Sequence, residues 1–418
     1  MKVFKFGGAS VKDAAGVENV RRIVAQETEP LVIVVSAMGK TTNAFERIVN
    51  ARWENRHDDA VLEYDKIRAY HRAIADELGQ GELFDNGITS QDIIDGAVVP
   101  ADYDEFYDQV VCMGELFSSR MLSAYLTKCD IENEWLCMQQ LLITDKTFRE
   151  AKVDYEESCK RIRKRIFGSK AKVFVAQGFI GGTIEGYHTT LGREGSDYTA
   201  ALMANFLDAE SVTIWKDVPG ILNADPRIVD DTVLIPELSY REAVELAYSG
   251  AQVIHPKSIR PVENKKIPLY VKPFNDPAAS GSVICETDRK VDVPVYIWRK
   301  NQLLITMRAK DFSFILEESL SHIFDIIKRH RLKVSMIQSS AVTISVCVDN
   351  TRYVPDAIEE LRDAYAVTYN EGLSLLTIRG TTPEILKREQ EGRSIMLTQT
   401  TRRTARLVIK DENEQMAK

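Results

Sequence analysis

Two periodicities alternate along the first 290 residues. VFKF at 3–6 alternates as a strand does and runs into Gly7-Gly8-Ala9-Ser10. LVIVV at 31–35 is continuously apolar, the pattern of a strand buried on both faces. Further strands are expected at 140–144, 172–176, 212–215 and 268–271. Helices are expected at 12–26, from about 44, at 103–126 with an interruption at Gly114-Glu115, at 155–167, after Ser196-Asp197, near 240–248 and from 256. Residues 53–78 read as a charged helical lid or cap that breaks at Gly79-Gln80-Gly81. Strands alternating with helices imply an α/β architecture with a mostly parallel sheet sandwiched by helices, and ligands bind beyond the carboxyl ends of such strands.

The pattern changes near residue 290. Strands at 292–298 and 303–307, a helix at 315–329, strands at 334–337 and 342–348, a helix at 355–364 and a strand at 367–370 make one βαββαβ unit. A shorter second unit follows: a strand at 373–379, a helix from 383 and strands at 394–399 and 405–409. It is one strand short, and borrowing 293–297 from the linker would interleave the two units. Residues 411–418 read as disordered.

Polar loops carrying glycine and charge sit at the strand exits, and the richest lies within residues 190–227. Gly192-Arg193-Glu194-Gly195-Ser196-Asp197 opens a helix that Ser196 or Asp197 would cap, and the free N–H groups of such a helix start favour an anion. Net charge is -8, which argues against nucleic acid or an anionic membrane as the main partner. The six cysteines form no CxxC pair and no zinc spacing, the usage of a reducing compartment. No apolar run is long enough to span a bilayer, and residues 2–6 already read as a strand instead of a leader, so a cytoplasmic location is expected.

Six segments carry a resemblance. They are Lys5-Phe-Gly-Gly-Ala-Ser10, Ser36-Ala-Met-Gly-Lys-Thr-Thr-Asn43, Gly114-Glu-Leu-Phe-Ser-Ser119, Gly192-Arg-Glu-Gly-Ser-Asp-Tyr-Thr-Ala200, Trp215-Lys-Asp-Val-Pro-Gly220 and Asp225-Pro-Arg227. In this order they resemble the aspartokinases, an amino-acid kinase fold (1–290) followed by two ferredoxin-like βαββαβ ACT regulatory units (291–418). The resemblance implies transfer of the γ-phosphoryl of ATP, with Mg2+, to the side-chain carboxylate of aspartate. It also implies a homodimer or larger assembly and an amino-acid effector. No general base is needed for a carboxylate nucleophile; positive charge and in-line alignment are.

Carried over residue by residue, Lys5 neutralises the moving phosphoryl, and Gly7 and Gly8 let backbone N–H groups approach phosphate. Asp197 orients the lysine. Arg193 clamps a substrate carboxylate, Glu115 receives the substrate ammonium, and Ser36, Thr42 and Ser196 hydrogen-bond substrate or phosphoryl oxygens. Lys216, Asp217, Leu222 and Arg227 fall where the family binds ATP. No residue is expected to ligate a resident metal.

Three departures stand out. Ala9 replaces a usual threonine. Gln252 replaces a usual nucleotide-contacting lysine, and Lys257 or Lys216 is expected to supply that charge. Ser335 and Ala341 occupy positions that are acidic in lysine-inhibited relatives, so lysine inhibition through that pocket is expected to be weak or absent. No fused homoserine dehydrogenase is expected. Rival readings are a kinase of the same fold for another carboxylate, such as glutamate, and an effector-sensing pseudokinase.

Overall fold

The computed structural model describes residues 1–82, 102–250, 254–310 and 317–411. Gln252, the start of the helix expected at 315 and the tail beyond 411 lie outside the described residues. The chain divides into two compact units. The first comprises Met1–Ile221, Leu234–Tyr248 and Gln252–Lys290; the second comprises Leu222–Val233, Ser249–Ala251 and Val291–Lys418.

In chain order the first unit begins with β1 (Lys2–Phe6), α1 (Ala14–Ala25), β2 (Leu31–Val35), α2 (Thr41–Trp53), α3 (His57–Glu77), α4 (Tyr103–Val111) and α5 (Met113–Lys128). It continues with β3 (Asn133–Leu136), α6 (Met138–Leu141), α7 (Tyr155–Phe167), β4 (Val173–Gln177), β5 (Ile180–Gly182), β6 (His188–Thr190), α8 (Gly195–Leu207) and β7 (Ser211–Lys216). After β8 (Ile221–Leu222) and β9 (Leu234–Ile235) come β10 (Glu237–Ser239), α9 (Tyr240–Tyr248), α10 (Pro256–Glu263), β11 (Leu269–Pro273) and β12 (Ser282–Cys285).

Eight of these strands form one sheet in the order β10-β12-β11-β7-β1-β2-β4-β3, and every neighbouring pair is parallel except β11–β12. Alternation sorts the central strands by face. Phe4, Phe6 and Trp215 join Val17, Val20 and Ile23 of α1 and Ile74 and Ala75 of α3 in one buried cluster, with Trp215 stacked on Phe6 at 6.1 Å. Lys5 and Lys216 point the other way, towards α8. Residues 53–78 add no strand and cap the sheet with a helix, as expected. Their helix, α3, contributes Ile74 and Ala75 to the same core as the sheet.

Two expectations are corrected. Residues 140–144 do not form a strand. Met138 N–H donates to Gln177 Oε1 at 2.9 Å and starts the short helix α6, while Asn133–Leu136 takes the sheet-edge place beside β4. Asn and Glu are poor strand formers, and only an edge position with half-exposed side chains admits them. The long helix at 103–126 breaks at Cys112, not at Gly114. Gly114 lies within the first turn of α5, where an added Cβ would come 2.8 Å from the Cβ of Ala37; glycine there allows the helix to close on the 36–43 loop.

In the second unit β13 (Val295–Ala309), α11 (Glu317–Arg329), β14 (Val334–Ser339), β15 (Thr343–Asp349), α12 (Val354–Ala364), β16 (Tyr365–Arg379), α13 (Pro383–Gln390), β17 (Ile395–Thr400) and β18 (Thr404–Lys410) build a six-stranded sheet, β14-β15-β13-β16-β18-β17. This is the pairing of two βαββαβ units. The strands expected at 292–298 and 303–307 are one 15-residue strand, and so are those at 367–370 and 373–379. Register shifts between Arg299 and Leu304 absorb the polar Arg299-Lys300-Asn301 step, which the sequence pattern alone presents as a turn. The first part of β13, from Val295 to Arg299, pairs with β16 from Leu375 to Arg379, and its far end pairs with the start of β16.

Candidate active site

β1 and β7 end side by side, with Lys5 opposite Ile214 and Phe6 opposite Trp215, so Lys5 and Lys216 emerge together at the carboxyl end of the sheet. Helix α8 lies over them. Its first turn presents Asp197, 1% exposed, whose Oδ1 is 2.7 Å from the Lys5 ammonium and whose Oδ2 is 3.4 Å from that of Lys216. Burial alone would raise the Asp197 carboxyl; the two ammonium groups overcome this and hold it below its ordinary value. Burial pulls Lys216 down, and the carboxylates of Asp197 and Glu194 more than restore it, so its ammonium stays charged. A carboxylate shared by two cations leaves positive charge at a strand end, where an anion is favoured.

The turn before α8 is fixed from below. Asp108 of α4, fully buried, accepts from Thr190 N–H at 2.8 Å, Thr190 Oγ1 at 2.7 Å and Arg149 N–H at 2.9 Å. Burial raises its carboxyl to about 6 against these donors. Gly178, at the exit of β4, lets the start of α8 approach: an added Cβ would lie 2.5 Å from the Ser196 side chain.

Two more loops close on this edge. The 36–43 loop packs on the first glycine loop, where Gly39 N–H donates to Gly8 O at 2.9 Å. A Cβ at Gly8 would fall 2.6 Å from Ala37 O and 2.8 Å from Gly39 O, whereas one at Gly7 would stand 3.5 Å from the Lys5 ammonium. Helix α2 begins at Thr41, three residues earlier than expected, so Thr42 lies in its first turn, where N–H groups have no helical partner. Glu115, 2% exposed, accepts from Ala37 N–H at 3.2 Å through Oε1, and its Oε2 is buried without a partner. Burial raises this carboxyl to about 8 against the Ala37 N–H and the Lys5 charge.

The structure thus gathers Lys5, Gly7, Gly8, Ser36, Glu115, Ser196, Asp197 and Lys216 around neighbouring strand ends. Arg193 is exposed and makes no ion pair among the described residues, but its charge reaches the Glu194 carboxyl together with those of Lys5 and Lys216. Asp217 is exposed just beyond β7. Lys257 lies in the first turn of α10, where its N–H donates to His255 Nδ1. Leu222 and Arg227 belong to the second unit, and there Arg227 pairs with Asp225 at 2.6 Å. Sequence reasoning missed Asp108 and Glu194. An acidic residue between two glycines of a turn was the available signal for the second.

A sequence model described as the Amino acid kinase family matches residues 1–273. The chain belongs to the amino acid kinase family. Lysine-sensitive aspartokinase 3 of Escherichia coli is 30% identical over 392 residues, covering 90% of this chain and 86% of that protein. Bifunctional aspartokinase/homoserine dehydrogenase 2 of Arabidopsis thaliana, chloroplastic, is 32% identical over 389 residues, covering 88% of this chain. The chain spans 42% of the length of that plant relative. The solved structure of E. coli aspartokinase III in complex with aspartate and ADP (R-state) superposes with a TM-score of 0.84 at 27% identity, covering 100% of this chain and 97% of that one. This family member has no helix, among its described residues, long and apolar enough to cross a membrane.

Proposed function

We propose that this amino acid kinase is an aspartokinase, transferring the γ-phosphoryl of ATP to the β-carboxylate of L-aspartate to give an acyl phosphate. The observation that carries the reading is the Lys5–Asp197–Lys216 array at the ends of β1 and β7, with Lys5 and Asp197 buried and Lys216 half-buried. Phosphoryl transfer needs charge compensation around a group in flight and little covalent chemistry, and preorganised ammonium groups provide it. Asp197 holds the lysines and moves no proton. Gly7 and Gly8 expose backbone N–H groups, and Ser36, Thr42 and Ser196 supply further donors. Glu115, with one carboxylate oxygen unpartnered, suits a substrate ammonium, and Arg193 suits a substrate carboxylate. Lys216 fits the missing nucleotide cation better than Lys257, because it already shares Asp197 with Lys5.

Among the described residues no cluster of three or more acidic, imidazole or thiol groups is placed to hold a metal ion. Magnesium would therefore arrive on the nucleotide, where it neutralises phosphate oxygens. We assign catalysis to 1–290 and regulation by an amino-acid effector to 291–418. The edge strands β14 and β17 offer a route to a homodimer. A coupled assay of ADP release with aspartate, with glutamate and with neither tests the reading. Aspartate-dependent release supports it; preference for glutamate, or no release, replaces it with one of the rivals.

A further inference from the structure

Asp108 has no task in the reaction as proposed, yet the turn that carries Arg193 rests on it. Its carboxylate ties two segments to α4, accepting from Arg149 N–H at 2.9 Å and from Thr190 through N–H at 2.8 Å and Oγ1 at 2.7 Å. Arg149 is anchored to the same helix by its side chain, with the guanidinium 4.4 Å over the Tyr107 ring and 3.4 Å from the Asp104 carboxylate. Its backbone φ of 67° is left-handed, a conformation that persists in a non-glycine residue where its surroundings hold it. The two segments are also joined to each other. Ala151 N–H donates to Thr190 O at 3.0 Å, and a Cβ added at Gly192 would stand 3.0 Å from Arg149 O. Arg193 comes next, exposed and without a side-chain hydrogen bond or ion pair among the described residues. The backbone of the turn therefore decides where its guanidinium lies.

Aspartate carries two carboxylates, and the groups proposed to meet them lie on one short stretch of chain. At the phosphoryl end Asp197, four residues after Arg193, is fixed to Lys5 at 2.7 Å. At the clamp end the turn is fixed to α4 through Asp108. We propose that Asp108 is a positioning residue that sets substrate length: it holds the Arg193 clamp at the distance from the phosphoryl site that suits aspartate and not glutamate, which is one methylene longer. A pocket that merely tolerates or crowds one methylene discriminates about 10–200-fold, and only while its two ends stay at a fixed separation. Loosening the turn lets the clamp retreat, which costs alignment of aspartate and makes room for glutamate. The inference rests on Arg193 being the carboxylate clamp, as proposed above.

Steady-state ADP release by the full chain, with aspartate and with glutamate, tests it, with calorimetric titration of ADP and melting temperatures alongside. Asp108→Ala removes all the acceptors. Asp108→Asn keeps the bonds in another form, its amide oxygen accepting from both N–H groups and its amide nitrogen donating to Thr190 Oγ1. Thr190→Val removes a single bond and serves if Asp108→Ala does not fold. Asp108→Ala should lower kcat/KM for aspartate on the order of tenfold and raise it for glutamate, with ADP affinity unchanged. Thr190→Val should shift both substrates the same way by a smaller factor, and Asp108→Asn should stay close to the wild type. In an Arg193→Ala background Asp108→Ala should cost aspartate nothing further, since coupled residues are not additive. Equal losses with both substrates, glutamate turnover no higher than in the wild type, or ADP affinity falling in step would overturn the inference alone. So would Asp108→Asn as impaired as Asp108→Ala, or losses that multiply in the double variant. Undiminished aspartate efficiency in Arg193→Ala overturns the clamp reading and this inference with it.

Discussion

The Lys5 ammonium and the Asp197 carboxylate, 2.7 Å apart and both buried, join the end of a central strand to the first turn of a helix. Neither charge is tolerable at that depth without the other, and the pair fixes where positive charge meets the cleft. Lys5→Met should lower kcat by about 10²–10³, the loss typical of removing one preorganised stabilising group. Asp197→Asn should lower kcat similarly and also destabilise the fold by roughly 3–5 kcal/mol, because the carboxylate that both ammonium groups touch is then gone. Steady-state turnover and urea denaturation of the two variants check this.

Glu115 gives a pH prediction. Burial raises its carboxyl to about 8, so the free protein carries it neutral at pH 7 and ionised above 8. Only the ionised form pairs with an ammonium. The efficiency kcat/KM for aspartate should therefore rise with pH up to about 8, and Glu115→Gln should remove that rise. Linkage runs the opposite way for stability. A carboxyl raised in the folded state favours folding when protonated, so its contribution falls as pH climbs from the ordinary carboxyl range towards 8. A pH series of kcat/KM and of melting temperature, on wild type and Glu115→Gln, reads both signs.

The glycines of the first loop differ in kind. Gly8→Ala places a Cβ 2.6 Å from a backbone carbonyl, which cannot move aside cheaply, whereas Gly7→Ala meets only the flexible end of Lys5 at 3.5 Å. Gly8→Ala should lower stability by about 1–3 kcal/mol. Gly7→Ala should melt as wild type but bind nucleotide more weakly. Thermal melts and ADP titrations of both variants separate the two effects.

Much of this site could be read from the chain itself. Lys5 lies at the end of a strand, Gly8 lies in the loop after it, and Glu115, Ser196 and Asp197 lie in first turns of helices, and a parallel sheet brings its strand ends to one edge whatever the register. What escaped depended on distant partners. Asn133–Leu136 is a strand only because β4 offers an edge, and 138–141 coils because Gln177 accepts from Met138 N–H. Lys216 and Lys257 are two candidate cations in the sequence, and only the pairing of β7 with β1 shows that Lys216 shares Asp197 with Lys5. Glu194 looked like one charge among many in a turn, since a backbone angle of 54° and a buried carboxylate oxygen leave no mark on composition. The long strands β13 and β16 were hidden by polar residues that a bulge accommodates.

Regulation offers a further test. In the second unit Ser335 is 7% exposed, its Oγ is unpartnered, and Arg406 donates to its carbonyl oxygen at 3.4 Å. Ala341 carries no charge. A lysine ligand there would meet the Arg406 guanidinium, and neither Ser335 nor Ala341 would offer its ammonium a carboxylate. Titrating lysine into the ADP-release assay should leave turnover nearly unchanged. Half-inhibition at submillimolar lysine would contradict this and would place the effector elsewhere in 291–418.

The central claim is that the charge gathered by Lys5, Asp197 and Lys216 moves a phosphoryl group onto the side chain of aspartate. Hydroxylamine traps an acyl phosphate as a hydroxamate, so the product itself can be read. Wild-type protein given ATP, magnesium, aspartate and hydroxylamine should form aspartyl hydroxamate, with little from glutamate and almost none from Lys5→Met. Hydroxamate formed equally well from glutamate, or undiminished in Lys5→Met, would contradict the account.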